Sequence, residues 1–132
     1  MLRPAPDWLV ERPIAHRGLH DLSQNRAENS WGAFEAAIDA GYAIECDVQI
    51  CASGEPVVFH DQSLDRMTGV TGKVRDHLPK TLRDLRLAGT QDSIHTLSEH
   101  LEQVAGRVPL VVELKGVAGH DDGLVQTTAS AL

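Results

Sequence analysis

Four short apolar runs carry ionisable residues at their C-terminal ends, and this repeated arrangement constrains the fold more than any other feature of the chain. The runs span residues 13–18, 42–48, 56–61 and 109–115. They are rich in Val, Ile or Leu and are bounded by Gly or Pro, as buried strands tend to be. We therefore predict one β-strand in each run.

Helical patterns lie between these runs. The first predicted helix has apolar residues at spacings of three and four, at Trp31, Phe34 and Ile38. Asn29 or Ser30 can cap its start and Gly41 can end it. A strand, a helix and a second strand form a βαβ unit, which implies parallel pairing and a right-handed crossover.

Two further helical pieces are predicted before the fourth run, and the tail at residues 121–132 resembles the opening of another helix. The first piece contains Leu82, Leu85 and Leu87, and the second has its apolar face at Leu97, Leu101 and Val104. The second and third runs are separated only by residues 49–55, too few for a crossover helix. We expect residues 48–52 to run back extended and to turn at 53–55, so that the third strand restarts parallel to the second.

Ionisable side chains occupy matching positions on the four predicted strands. Side chains two apart on a strand share a face, and each run has its ionisable member at the C-terminal end. The residues are His16, Glu45, Asp47, His60, Glu113 and Lys115. Any one of them alone is as readily a solvated or salt-bridged strand end. Six on matching faces predict a site at the C-terminal rim of a parallel α/β sheet, where active sites of such folds lie.

The carboxylates predict a metal site. Glu45, Asp47 and Glu113 offer three hard oxygen ligands, which suit Mg²⁺ or Ca²⁺ rather than zinc. Cys46 should point away from the site as a small core residue, and Cys51 has no obvious partner. These two cysteines lack the additional Cys or His pair that a zinc site requires.

The remaining charges predict phosphodiester chemistry. Three carboxylates and one divalent cation leave a net charge near −1, and Arg17 and Lys115 bring the site to about +1 if both face it. Such a site accepts an anion. His16 and His60 then supply an acid and a base that titrate near neutral pH. The other histidines are expected at the surface: His77, His95, His100 and His120. His20 can line the rim, but no role is assigned to it.

Composition excludes several other classes. With 12 Lys and Arg against 19 Asp and Glu, the net charge of −7 argues against a sequence-independent nucleic-acid binder. No apolar run approaches the roughly 20 residues of a membrane span. The first residues show no secretory signal, and two cysteines make no disulfide framework, so a cytoplasmic location is expected.

Taken together, these segments resemble the glycerophosphodiester phosphodiesterase family. The resemblance rests on residues 14–18, 28–30, 45–48, 58–61, 64–66, 68–69 and 113–115, which follow the family's order and approximate spacing. It implies a TIM barrel that hydrolyses glycerophosphodiesters to glycerol 3-phosphate and an alcohol, through a cyclic phosphate formed by the neighbouring glycerol hydroxyl. It also implies a divalent metal at Glu45, Asp47 and Glu113. In this resemblance His16 and His60 are the acid–base pair, and Arg17 and Lys115 bind phosphate.

The length of 132 residues is about half that of a complete (β/α)8 barrel. We therefore expect residues 1–132 to form a partial domain, the N-terminal half of the barrel with about four parallel strands. Two alternatives remain open. One is an inactive half-barrel that self-associates through its open sheet edges. The other is a related barrel phospholipase, although no apolar membrane-docking segment favours it.

Overall fold

The computed structural model describes residues 2–117 and 122–132. The strands are β1 (Ala15–His16), β2 (Ile44–Ile50), β3 (Pro56–Val58) and β4 (Leu110–Leu114). The α-helices are α1 (Trp8–Glu11), α2 (Trp31–Ala40), α3 (Asp65–Thr68), α4 (Pro79–Arg83), α5 (Leu97–Val104) and α6 (Leu124–Ala131). Single 3-10 turns form at Leu22–Gln24 and Val74–Asp76. Within the described residues, no helix is both long and apolar enough to cross a membrane.

Strand β2 is the centre of the four-stranded sheet. It pairs in parallel with β1, where Glu45 lies opposite His16, and in parallel with β4, where Asp47 lies opposite Glu113. This pairing places the C-terminal ends of β1 and β4 at the same rim as the middle of β2. The sequence predicted this α/β arrangement. The parallel pairing brings residues that are far apart in the chain to one edge of the sheet.

The third strand runs in the opposite direction to the predicted one. β3 pairs antiparallel with β2, with Val58 opposite Val48 and Pro56 opposite Ile50. The expected reversal after Val48 is wrong because β2 continues straight to Ile50 before the chain turns. Gly54, at φ +85°, occupies the left-handed conformation that the tight turn requires. A short link that cannot hold a helix thus produces a hairpin.

Helix α2 begins and ends as its sequence predicts. Ser30 caps α2 by accepting a hydrogen bond from the Ala33 amide at 3.1 Å, and Gly41 ends it in the left-handed conformation at φ +75°. Thr96 caps α5 by accepting a hydrogen bond from the Glu99 amide, and Ala105 takes the left-handed C-cap position at its end. Helix α6 confirms the predicted tail helix and buries Leu124.

Two separate hydrophobic clusters stabilise the chain. The first packs the sheet against α2, α5 and α6, with Phe34, Ile44 and Val48 fully buried at its centre. The second lies around the hairpin and the irregular segment that follows it, and it buries Leu82 and Leu87. Helix α4 ends at Arg83, so Leu87 is buried from a turn rather than from the predicted helix.

His100 is fully buried, so its predicted position at the surface is wrong. Its ring lies 4.3 Å from the Phe34 ring centroid and meets His95 edge-on at 6.0 Å. His95 is half-buried and stacks on Trp31 at 3.9 Å, whereas His77 is half-buried in a loop. His120 lies outside the described residues. The spacing of Leu97, His100 and Val104 places His100 on the buried face of α5.

The buried His100 makes stability depend on pH. Burial, together with the nearby His95, lowers the pKa of His100 to about 3. Below about pH 6.5 the unfolded chain therefore binds a proton that the folded chain does not, and His100 costs up to about 1.4 kcal/mol of stability per pH unit as pH falls. We expect His100→Gln to show a shallower loss of unfolding free energy between about pH 7 and pH 5 in urea titrations. His77→Gln is the control, and equal slopes for wild type and His100→Gln would contradict the assignment.

Candidate active site

Three carboxylates converge at the rim. Glu45 and Asp47 project from β2 and Glu113 projects from β4, and one oxygen from each lies within 4.8 Å of the other two. Asp47 is fully buried, Glu45 is partly buried and Glu113 is exposed. We call these three residues the carboxylate cluster. Alternation along β2 sends Cys46 to the opposite face, where it is buried in the first hydrophobic cluster.

The carboxylate cluster has unsatisfied oxygen atoms. Glu45 Oε1 and Asp47 Oδ1 are buried, and neither accepts a hydrogen bond within the described residues. Burial raises the pKa of Glu45, and the charge of Asp47 raises it further. Unpaired buried carboxylate oxygens are costly unless a cation compensates them. An oxygen-only set of this kind fits a hard divalent cation.

Arg17 and Lys115 flank the carboxylate cluster. The Arg17 amide donates to Glu45 Oε2 at 3.2 Å, and its guanidinium Nε lies 3.5 Å from Asp47 Oδ2. Lys115 Nζ lies 2.8 Å from Glu113 Oε1 and 3.9 Å from Asp47 Oδ1. The hydrogen bond between Lys115 and Glu113 raises the pKa of the lysine and lowers that of the carboxyl. Both predicted phosphate-binding cations thus border the carboxylates.

A tight turn after β1 orients Arg17. Arg17 and Gly18 both have positive φ, at 58° and 77°. A Cβ at Gly18 would lie 2.8 Å from the Cβ of Ala33 on α2, so only glycine fits without displacing the helix. The sequence Arg17-Gly18 therefore allows α2 to pack closely while the Arg17 amide points at Glu45.

The two predicted catalytic histidines lie on different loops of the rim. His16 ends β1, and its Nε2 is 3.5 Å from Glu45 Oε2 while two thirds of the side chain is exposed. His60 follows β3, and its Nδ1 is 2.8 Å from Asp61 Oδ1. Because β3 runs back along β2, the chain returns to the rim at this point, where the Phe59 amide donates to the Asp47 carbonyl at 3.0 Å.

Gln49 holds the backbone on either side of His60. Its Nε2 donates to the carbonyl oxygens of Phe59 at 2.8 Å and Asp61 at 2.7 Å. Gln49 is buried on β2, just beyond the carboxylates. The segment that carries His60 is therefore attached to the same strand as the carboxylate cluster.

Sequence reasoning missed four residues that complete the site: Glu28, Asn29, Asp61 and Arg66. Asn29 Nδ2 donates to Asp47 Oδ2 at 3.0 Å, whereas the sequence suggested only a helix cap for Asn29. Glu28 accepts from Arg17 at 3.0 Å. The segments 28–30, 58–61 and 64–66 were among those that carried the family resemblance, and this was the signal that could have identified these residues.

A cavity lined by three cationic side chains and by the carboxylate of Asp122 adjoins Lys115. It has a volume of about 120 Å³, and its walls include Lys73, Arg75 and Gln49. Arg75 is paired with Asp122 at 2.8 Å. The chain as a whole carries a charge of −7, so this cavity and the two cations of the site form a local region suited to an anion.

Comparison with known proteins places the chain in one family. Residues 16–130 match the glycerophosphoryl diester phosphodiesterase family. A glycerophosphodiester phosphodiesterase from Caldanaerobacter subterraneus subsp. tengcongensis is 37% identical over 114 residues, which make up 85% of this chain and 42% of the relative.

Solved structures agree with this match. A phosphodiesterase from Oleispira antarctica, solved in complex with the product sn-glycerol-3-phosphate, gives a TM-score of 0.80 at 30% identity. The match covers 90% of this chain and 50% of that protein. A glycerophosphodiester phosphodiesterase from Agrobacterium tumefaciens gives a TM-score of 0.67 at 32% identity. The match covers 76% of this chain and 46% of that protein.

The chain spans about half the length of these relatives. Its open sheet and packed helices correspond to half of the TIM barrel of the structural neighbours, as the sequence predicted. Because the family match extends over most of the residues, the chain belongs to the glycerophosphoryl diester phosphodiesterase family.

Proposed function

We propose that this chain carries the catalytic groups of a metal-dependent phosphodiesterase that hydrolyses glycerophosphodiesters to glycerol 3-phosphate and an alcohol. The observation that carries the proposal is the convergence of three carboxylates, two cations and two histidines at one rim of the sheet. The product named for the Oleispira antarctica structure supports the same substrate class. We further propose that residues 1–132 correspond to the N-terminal half of a barrel domain and that the protein is located in the cytoplasm.

Glu45, Asp47 and Glu113 would hold the divalent cation, either Mg²⁺ or Ca²⁺. The buried oxygens Glu45 Oε1 and Asp47 Oδ1, which accept no hydrogen bond within the described residues, are the feature that fits such an ion. When bound, the ion supplies Lewis-acid stabilisation of the charge that develops on the phosphoryl oxygens.

Arg17 and Lys115 would bind the phosphodiester. Arg17 presents a planar guanidinium beside Asp47, and Lys115 presents a point charge between Asp47 and Glu113. Charge-assisted hydrogen bonds from both sides hold the phosphate and stabilise its transition state. Their existing carboxylate partners keep both cations oriented before substrate binds.

His16 and His60 would move the protons. The neighbouring glycerol hydroxyl attacks phosphorus and loses its proton to one histidine, while the bond to the alcohol breaks and the other histidine protonates the leaving oxygen. Water then opens the cyclic phosphate with the two roles reversed, which yields glycerol 3-phosphate. Both histidines are partly exposed, so substrate and water can reach them.

Self-association without turnover is the competing proposal. Within the described part of the chain, β1 and β4 each pair only with β2, and Leu114 at the end of β4 is 42% exposed. Unpaired strand edges favour association with another chain. A third proposal, a barrel phospholipase, shares the histidine pair and differs in substrate.

Release of glycerol 3-phosphate from glycerophosphocholine tests these proposals. We expect release by the purified chain in Mg²⁺ or Ca²⁺, loss of release in EDTA, and recovery when the ion is restored. Release from phospholipid vesicles alone would favour the phospholipase. No release from either substrate, with oligomers in light scattering, would favour the inactive half-barrel and contradict our proposal for this chain.

A further inference from the structure

One arginine outside the predicted site connects its two sides. Arg66 lies on α3 and donates to both oxygens of Asp61, from Nε at 2.7 Å and from Nη2 at 3.0 Å. It also donates to both oxygens of Glu28, from Nη1 at 2.8 Å and from Nη2 at 3.0 Å. A guanidinium matches two carboxylates in this forked geometry, which an ammonium cannot reproduce.

The two carboxylates held by Arg66 each contact a residue of the proposed machinery. Asp61 Oδ1 is 2.8 Å from His60 Nδ1, and Glu28 Oε2 is 3.0 Å from Arg17 Nη1. A continuous chain of ion pairs and hydrogen bonds therefore runs from the loop after β1 to the loop after β3. The Glu28 and Arg17 side chains are 11% and 20% exposed, whereas the Arg66 side chain is half exposed, so only the Glu28 end of this chain is shielded from water.

The charge state of Asp61 determines where His60 carries its proton. An aspartate with its ordinary pKa is already ionised at neutral pH, and hydrogen bonds from Arg66 and His60 lower the pKa of Asp61 further, to about 2. Arg66 therefore acts on the position of this carboxylate rather than on its charge. An ionised carboxylate only accepts hydrogen bonds. Neutral His60 must then donate from Nδ1, which leaves the lone pair of Nε2 available for a proton transfer.

We propose that Arg66 is a positioning residue that holds Asp61 against His60 and Glu28 against Arg17. Through Asp61 it selects the Nδ1–H tautomer and the orientation of the His60 ring. Through Glu28 it orients the Arg17 guanidinium. The kinetic consequence rests on the proposed function, whereas the tautomer of His60 is a property of the chain itself.

Nitrogen NMR tests the tautomer without any need for activity. In long-range ¹H–¹⁵N spectra at neutral pH, assigned by comparison with His60→Gln, we expect wild-type His60 to be the Nδ1–H form. Arg66→Met should shift it toward a mixture of tautomers. Arg107→Met is the matched control, because Arg107 makes a forked pair with Glu35, at 3.0 and 3.2 Å, remote from the site. An unchanged His60 tautomer in Arg66→Met would overturn the proposal.

Kinetics separate positioning from a purely structural role. We expect Arg66→Met to lower kcat for glycerol 3-phosphate release by about 10–100-fold, since small misplacements of catalytic groups have effects of this size. Arg66→Lys should recover little, because one ammonium cannot bridge both carboxylates, and Arg107→Met should keep the wild-type rate. If Arg66→Lys kept the wild-type kcat, a forked guanidinium at position 66 would not be required. This result would overturn the proposal even if Arg66→Met failed to fold. If the wild-type chain is inactive, the proposed function fails and the NMR result alone decides the role of Arg66.

Discussion

Replacing His60 by alanine is expected to lower kcat for glycerol 3-phosphate release by about 10²–10⁴-fold, the usual contribution of a positioned acid or base. Asp61 holds the His60 ring at Nδ1, and Gln49 holds the backbone on either side of His60 through the carbonyl oxygens of Phe59 and Asp61. Alanine removes the group that exchanges the proton and leaves the carboxylate cluster intact. Initial rates with glycerophosphocholine at saturating Mg²⁺ measure the effect.

The matched control for His60→Ala is His77→Ala, which removes a half-buried histidine outside the site. We expect His77→Ala to retain wild-type kcat. Added imidazole should restore part of the rate of His60→Ala, because the substitution removes the imidazole ring that transfers the proton. Wild-type turnover by His60→Ala would remove His60 from the mechanism.

Replacing Asp47 by asparagine is expected to weaken divalent-cation binding by at least about 100-fold, beyond the range for residues that merely support metal ligands. Asp47 is the central carboxylate: it is fully buried, it faces Glu113 across the sheet, and Arg17, Asn29 and Lys115 all approach it. Asparagine keeps the shape of the side chain and removes its charge. Calorimetric titration with Mg²⁺ or Ca²⁺ measures this effect directly, without reference to turnover.

Glu55→Gln provides the control for Asp47→Asn, because it neutralises an exposed carboxylate in the hairpin turn beyond the rim. We expect its cation affinity and melting temperature to match the wild type. A melting curve for Asp47→Asn separates loss of the ion from loss of the fold. Unchanged cation binding in folded Asp47→Asn would show that the carboxylate cluster is not the metal site.

Local patterns in the sequence predicted the sheet and its principal helices because each depends on residues close together in the chain. Alternation along β2 separated Glu45 and Asp47 from Cys46, and cap residues set the limits of α2 and α5. The direction of β3 depends instead on how far β2 continues beyond the rim. The composition of residues 49–55 does not indicate where β2 ends and the chain turns. His60 nevertheless reaches the rim, since the hairpin returns the chain to the level of Asp47.

Three of the missed residues, Glu28, Asn29 and Arg66, have partners in distant segments of the chain. Arg66 donates to Glu28, which lies 38 positions earlier in the chain, and no periodicity within either segment indicates this contact. His100 differs, since the spacing of Leu97, His100 and Val104 places it on the buried face of α5, whereas its polar ring favours the surface.

The two hydrophobic clusters imply an order of folding. The second cluster draws mainly on one continuous stretch between Cys51 and Ile94, so it closes with short loops. The parallel pairing of β1, β2 and β4 joins distant segments, and such contacts lose more chain entropy before they form. The carboxylate cluster depends on this later pairing, because two of its residues lie on β2 and the third lies on β4. If the carboxylate cluster holds the cation as we propose, affinity for the cation would appear only when β4 has docked, and it would report completion of folding rather than its onset.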